Sequence, residues 1–233
     1  MANYQLPMKN PEFPMRINQY LAWQKHSTRR GGDELVQKKQ VLINGRFAKL
    51  GDKVNENDVV EILKNKKPKG YLYFAYNKPT GETTDTPIFL NKDIFPLGRL
   101  DKDSHGLMLL TNDGRVTDRL LNPEYAHEKE YIVSVKEKLR SNFKQKMESG
   151  VDIEGYLTRK CRVQILNDFK FKITLTEGKK HQIRRMCVAL HNEIKNLKRI
   201  KIMNIELGDL SSGSHRAIGG EELGTFLRDL GLL

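Results

Sequence analysis

The chain has 233 residues, 38% of them hydrophobic, enough for one large domain or a core domain with a small appendage. Lys and Arg total 41 against 29 Asp and Glu, a formal net charge of +12 spread along the chain, so a phosphate-rich partner is expected. Cys161 and Cys187 form no zinc motif, and no run of about 18 apolar residues reads as a leader or membrane span, so a reduced cytoplasmic protein without a metal site is expected.

Residues 1–14, "MANYQLPMKNPEFP", read as a loose tail. "MRINQYLAWQ" puts Ile17, Tyr20, Leu21 and Gln24 near helical spacing and predicts a short amphipathic helix. Ser27 or Thr28 in "HSTRR" is a candidate cap for a second helix carrying Leu35 and Val36 inward. Gly31 and Gly32 each cost such a helix about 1 kcal/mol relative to Ala, which predicts a later start or a frayed first turn. Asn44-Gly45 predicts a hairpin, and short strands end near Leu63. "KNKKPKG", residues 64–70, reads as a linker.

The second part, residues 71–233, opens on a strand in "YLYFAYNKP". A further apolar run, residues 107–110, ends at the "NDG" turn, and "RVTDRLLN" allows two helical turns. "KEYIVSVK" alternates as a half-buried strand does, and "LRSNFKQKMESG" reads as a helix. A hairpin is predicted around Asn167-Asp168, and a helix in "KKHQIRRMCVALHN" with Ile183, Met186, Cys187 and Leu190 on one face. A strand near "RIKIMNIEL" and a helix in "GEELGTFLRDLGLL" close the chain. Several strands with few alternating βαβ units predict an α+β fold with a mainly antiparallel sheet.

Basic residues crowd the first part, where Arg16, Arg29, Arg30, Arg46 and Lys49 stand within 34 residues. A helix starting near "STRR" sets such side chains beside its own N-terminal amides, and both favour phosphate. The pattern "MRINQYLA…STRR…VLINGRFAKLGDKVNENDVVEI" resembles the small RNA-binding domain named after ribosomal protein S4. The resemblance implies that residues 15–63 grip structured RNA, with Arg16, Arg29, Arg30, Asn44, Arg46 and Lys49 as candidate contacts.

The central question lies in "GRLDKDSHGLMLLTNDG", where Asp101 follows Arg99 by two residues in a strongly basic chain. Such an Asp is either a solvated turn residue or a catalytic carboxylate. A carboxylate can attack a sugar or base carbon without a metal, and a nearby guanidinium keeps it ionised. Arg184 and Arg185 in "HQIRR" are candidates for that guanidinium. An extruded base needs an aromatic face, for which Tyr131 in "KEY" is the candidate, with a packed core tyrosine as the competing reading. Asp103 raises the alternative of paired acids for glycoside hydrolysis, which the basic setting disfavours. A non-catalytic RNA-binding or ribosome-assembly factor is the other alternative. No glycine-rich phosphate or methyl-donor loop is found, which speaks against an RNA methyltransferase.

"GRLDKDSHGLMLLTNDG", "HEKEYIVSV" and "EGKKHQIRRM…LKRIKIMNIELG" together resemble the ordered motifs of pseudouridine synthases, in the branch with an S4-type domain that acts on bacterial ribosomal RNA. The resemblance covers roughly residues 15–230. It implies a catalytic domain over 71–233, a mixed, mainly antiparallel sheet flanked by helices, and a reaction that needs no cofactor or metal. Asp101 matches the family aspartate, Tyr131 the tyrosine that stacks on the target base, and Arg184 the basic partner of the aspartate. Arg99 is expected to organise the loop or the flipped nucleotide, with Lys78, His181, Gln182 and Arg185 as weaker candidates for RNA contact and His105 as a loop residue. The implied substrate is a structured stem-loop of ribosomal RNA, free or in a pre-ribosomal particle, from the large subunit with the small subunit as alternative and transfer RNA as a further acceptor. A monomer is the default expectation.

Overall fold

The computed structural model describes residues 12–63, 70–84 and 93–233. The tail expected over 1–14 falls outside these residues through position 11, and the linker expected over 64–70 does so through position 69. The chain divides into two units, one within residues 1–70 and one over residues 71–233.

The first unit holds β1 (Met15–Arg16), α1 (Ile17–Trp23), α2 (Arg29–Gln37), β2 (Val41–Ile43), β3 (Arg46–Phe47), β4 (Lys53–Val54) and β5 (Val60–Ile62). β1 pairs with β4, and β3-β2-β5 form a second small antiparallel sheet. Ile17 and Leu21 from α1 and Val36 from α2 meet Val41, Ile43, Ala48 and Val54 in one core, with Leu35 packed at its edge. Gln24, expected on the inward face, is exposed just past the helix end. Asn44 and Gly45 both have positive φ, 50° and 76°, as a tight two-residue hairpin between right-twisted strands requires.

The glycines at 31 and 32 do not delay α2. It starts at Arg29, capped by Thr28, whose Oγ1 accepts from the Gly31 amide at 2.9 Å. Gly32 is buried where the helices cross, and a Cβ there would lie 3.1 Å from the Asn18 Cα. Close packing of α1 on α2 therefore offsets the poor helix propensity.

The second unit holds β6 (Tyr73–Lys78), β7 (Phe95–Leu97), β8 (His105–Thr111), α3 (Arg115–Leu121), β9 (Lys129–Val135), α4 (Phe143–Glu148), β10 (Arg162–Asn167) and β11 (Lys170–Leu175). It continues with α5 (Gln182–Ala189), β12 (Ile194–Ile202), β13 (Ile205–Glu206), β14 (His215–Ala217) and α6 (Gly220–Asp229). The strands form one sheet in the order β10-β11-β9-β12-β8-β6-β14, with β13 on β12 and β7 on β8. The β12–β8 pair is parallel and the others are antiparallel, so the fold is α+β with a mixed, mainly antiparallel sheet. The strand expected near residue 199 begins earlier, at Ile194, and turns at Met203-Asn204. α5 begins at Gln182, because His181 takes a left-handed conformation, φ 51°, that ends the preceding loop.

Two cores flank the sheet's working region. α4 and α5 pack on β9, β10, β11 and β12 through Phe143, Met147, Ile183, Met186, Cys187, Phe171 and Val133. α3 and α6 pack around β8 and β13 through Val116, Leu120, Phe226, Leu107, Leu109 and Ile205. Among the described residues, no helix is long and apolar enough to cross a membrane.

Candidate active site

Four elements converge on one open cavity of the second unit. The segment 99–104 leads into β8 and supplies Arg99 and Asp101. β9 supplies Lys129 and Tyr131, β12 supplies Arg199, and the start of α5 supplies His181 and Arg184. Strand register brings them together. Tyr131 of β9 faces Arg199 of β12, and Arg199 in turn faces Gly106 of β8. Gly106 has φ 104°, and a Cβ there would lie 2.2 Å from the Arg199 carbonyl oxygen, so only glycine fits this approach.

Asp101 is partly exposed to the cavity. Arg184 Nε lies 4.0 Å from its Oδ2, and His181 Nε2 lies 3.5 Å from its Oδ1. The segment around it is fastened through its main chain. The Arg99 carbonyl faces Arg199 Nη1 at 3.5 Å, and the Leu100 carbonyl accepts from Thr84 Oγ1 at 2.9 Å. The Asp101 and Lys102 carbonyls accept from the amides of Ser104 (2.9 Å) and Gly81 (2.8 Å). Those of Asp103 and Ser104 accept from Arg184 Nη2 at 3.1 Å and Lys78 Nζ at 2.8 Å. Each carbonyl from 99 to 104 thus has a donor, and three of the six donors are cationic side chains. Donors of this kind make the stronger hydrogen bonds.

This corrects the reading of Lys78 as an RNA contact. Its side chain is fully buried, and its ammonium donates to the Pro79 and Ser104 carbonyls, at 2.9 and 2.8 Å. Burial lowers its pKa, opposed by the carboxylates of Glu82, Asp101 and Asp103. Gln182 is likewise internal. It is buried, its Nε2 donates to Glu177 Oε1 at 2.7 Å, and its Oε1 accepts from the Lys179 amide at 2.9 Å. Arg185, next to Arg184 on the helix, points elsewhere and holds the Ile153 carbonyl at 2.8 Å and Glu154 at 2.7 Å. His105, expected in the loop, is the first residue of β8, its Nε2 lying 2.8 Å from Asn196 Oδ1.

Two cavity residues were not singled out from the sequence. Arg199 is buried and donates Nε to the Leu107 carbonyl at 2.6 Å, and its Nη2 finds no partner among the described residues. Among the described residues, the Lys129 ammonium has one hydrogen bond, 3.4 Å to the His127 carbonyl. Burial first, and then the Arg199 charge, pull its pKa down to about 8. The available signal was period two: Lys129 and Tyr131 share a face of an alternating strand.

In the first unit, Arg16, Arg29, Arg30 and Lys49 are exposed, the two adjacent arginines opening α2. Arg46 is exposed and paired with Asp52 at 3.0 Å. Asn44 is exposed at the hairpin, and both ends of its amide also hold neighbouring groups of the same unit. Its Nδ2 donates to Asp58 Oδ1 and its Oδ1 accepts from the Val59 amide, each at 2.8 Å.

The model of RNA pseudouridylate synthases matches residues 61–189, and that of the S4 domain matches residues 15–60. The chain belongs to the RNA pseudouridylate synthase family. The dual-specificity RNA pseudouridine synthase RluF of Escherichia coli K12 is 37% identical over 227 residues, which span 91% of this chain and 78% of that protein. An RNA pseudouridine synthase of Aquifex aeolicus is 35% identical, over 94% of this chain and 96% of that one. The ribosomal small subunit pseudouridine synthase A of Pasteurella multocida is 33% identical, over 91% of this chain and 99% of that one. A pseudouridylate synthase crystal structure superposes with a TM-score of 0.68 at 26% identity, covering 93% of this chain and 99% of that one. The synthase is therefore an enzyme that isomerises uridine in RNA, with an S4 domain ahead of its catalytic fold.

Proposed function

We propose that this synthase converts a uridine of large-subunit ribosomal RNA to pseudouridine, with Asp101 as the reacting carboxylate, Tyr131 as the stacking face for the extruded base and Arg184 as the cation that keeps Asp101 ionised. The observation that carries the reading is the meeting of Asp101, Tyr131 and Arg184 in one cavity, with the Arg184 guanidinium 4.0 Å from the Asp101 carboxylate. The carboxylate assists cleavage of the C1′–N1 bond by attack on the sugar or the base. The uracil turns while bound, C5 bonds to C1′, and C5 loses a proton as N1 gains one. The reaction is an isomerisation, so its atoms balance without an external reagent.

Arg99 and His181 line the same cavity and serve the flipped nucleotide and its backbone. Residues 15–63 act as the RNA clamp through Arg16, Arg29, Arg30, Arg46 and Lys49, ahead of a catalytic domain over 71–233. The large-subunit assignment rests on the resemblance of "TRKCRV", "FKITL" and "IRRMC" to the large-subunit enzymes of this family, and the Escherichia coli dual-specificity enzyme, 37% identical, is compatible with it. Its setting is the bacterial cytoplasm, where ribosomal RNA is made, and the enzyme acts as a single chain.

Tritium release from RNA carrying 5-tritiated uridine tests the chemistry. Asp101→Asn is isosteric and a poor nucleophile, so it binds RNA as the wild type does and releases no tritium above background; near-normal turnover refutes the role of Asp101. Pseudouridine mapping of ribosomal RNA from cells with and without the protein tests the target. Loss of a large-subunit site supports the assignment, and loss of a small-subunit site alone overturns it.

A further inference from the structure

We propose that Lys129 is a further catalytic residue of this site: its ammonium donates to the uracil stacked on Tyr131 and stabilises the negative charge that the base takes up as the C1′–N1 bond breaks. The inference rests on the assignment of Asp101 and Tyr131 above.

The cavity's other cations are engaged or face solvent. Arg184 is committed to Asp101 and to the Asp103 carbonyl, and Arg199, though its Nη2 is left unpaired among the described residues, is held by two of its other nitrogens at the carbonyls of Leu107 and Arg99. Arg99, Lys102, Lys179 and Lys180 are exposed, where water screens them. Lys129 differs. It is half-buried, it has no carboxylate partner among the described residues, and its one contact is the long one to the His127 carbonyl, 3.4 Å. Arg199 beside it adds positive charge rather than relieving it. A desolvated cation without a counter-ion is costly and gains most from an anionic acceptor.

Position identifies that acceptor. Lys129 and Tyr131 are two residues apart on β9, about 7 Å along a strand at about 3.4 Å per residue. Both line the cavity, and a lysine stem is long enough to span that distance, so the ammonium can exchange its long bond to the His127 carbonyl for one to the edge of a ring lying on Tyr131. When C1′–N1 breaks, the bonding pair passes to the uracil, where N1, O2 and O4 share it. A donor already fixed there lowers the barrier, whereas Arg184, beside the carboxylate, serves the other end of the reaction. No proton needs to leave Lys129.

The test uses the full chain and ribosomal RNA transcripts with the mapped target position carrying either uridine or 5-fluorouridine, whose base leaves more readily as an anion. Single-turnover rates are read as pseudouridine formed and as parent 5-fluorouridine consumed, by mass spectrometry of digested RNA. Lys129→Met is expected to lower the uridine rate about 10²–10³-fold, the range for loss of one charge-stabilising donor. RNA Kd should stay within about twofold, and the loss on 5-fluorouridine should be at least about tenfold smaller, because a better leaving group needs less stabilisation. Lys129→Arg should keep the rate within about tenfold and carries the same comparison should the Met variant unfold. Equal losses on the two RNAs, an unchanged rate, or a change in Kd alone would overturn the proposal. Failure of the underlying reading looks different: the wild type would leave the uridine unchanged, or Asp101→Asn would stay active.

Discussion

Replacing Gly106 by Ala tests whether the close approach of β8 to β12 positions the site. Two penalties add. At φ 104° a side chain is strained, costing about 1–3 kcal/mol. The new Cβ would sit 2.2 Å from the Arg199 carbonyl oxygen and 2.9 Å from its amide nitrogen, against an ordinary C···O approach of about 3.3 Å. The strands must separate by roughly 1 Å, which weakens the hydrogen bonds of the parallel pair by about 0.5–1.5 kcal/mol each. Over the two registered pairs the sum is about 2–6 kcal/mol, or roughly 4–24 °C in melting temperature for a unit of this size. The same shift moves Arg199 and the segment that bears Asp101, and a displacement near 1 Å is expected to cost about 10²-fold in turnover. Gly155→Ala is the control, since Gly155 has φ 84° but nothing within 4 Å of a built Cβ, so only the conformational penalty remains. Differential scanning calorimetry and single-turnover tritium release measure both effects. A Gly106→Ala enzyme that melts with the Gly155→Ala control and turns over normally would refute the reasoning.

Thr28→Ala removes the cap on α2 and should lower the stability of the first unit by about 1 kcal/mol in urea denaturation, with weaker RNA binding as Arg29 and Arg30 lose their fixed setting. Tyr131→Ala should lose about 1–3 kcal/mol of base stacking in kcat/KM while Tyr131→Phe retains it, and equal kinetics for wild type and the Ala variant would exclude this ring as the stacking face. Lys129 carries a pH signature. Its pKa falls from 10.5 to about 8 on folding, so between these values the unfolded chain holds the extra proton and stability rises with pH. Melting temperatures of wild type relative to Lys129→Met should therefore climb from about pH 8 towards pH 10.5, and parallel profiles would contradict the burial of this ammonium.

Where local chemistry decides the structure, the sequence was readable. Asn44-Gly45 demands positive φ at two successive positions, Thr28 offers an oxygen to a free amide, and the strand from Lys129 to Val135 alternates. The glycines of α2 misled because propensity is local, whereas their use is a helix crossing that only the tertiary structure reveals. β7, β13 and β14 are three residues or fewer, too short for periodicity to register, and exist through pairing with longer neighbours. In the site, the motif around Asp101 was legible because few residues carry that chemistry. Lys78 and Gln182 were read as RNA contacts because polar type says nothing about burial, and Asn44 because it says nothing about which partners the amide already holds. Lys129 and Arg199 were passed over for the converse reason: among 41 basic residues, identity alone does not separate an enclosed cation from a solvated one.

The carbonyls from residue 99 to residue 104 are all gripped, and the grip is blind to side chains. Arg199, Thr84, the Ser104 amide, Gly81, Arg184 and Lys78 take hold of oxygens that any amino acid would present. The exposed side chains of Lys102 and Asp103 can thus be exchanged for others while the carboxylate that precedes them, Asp101, stays moored. In this segment the mooring is carried by the backbone and not by the exposed side chains at 102 and 103.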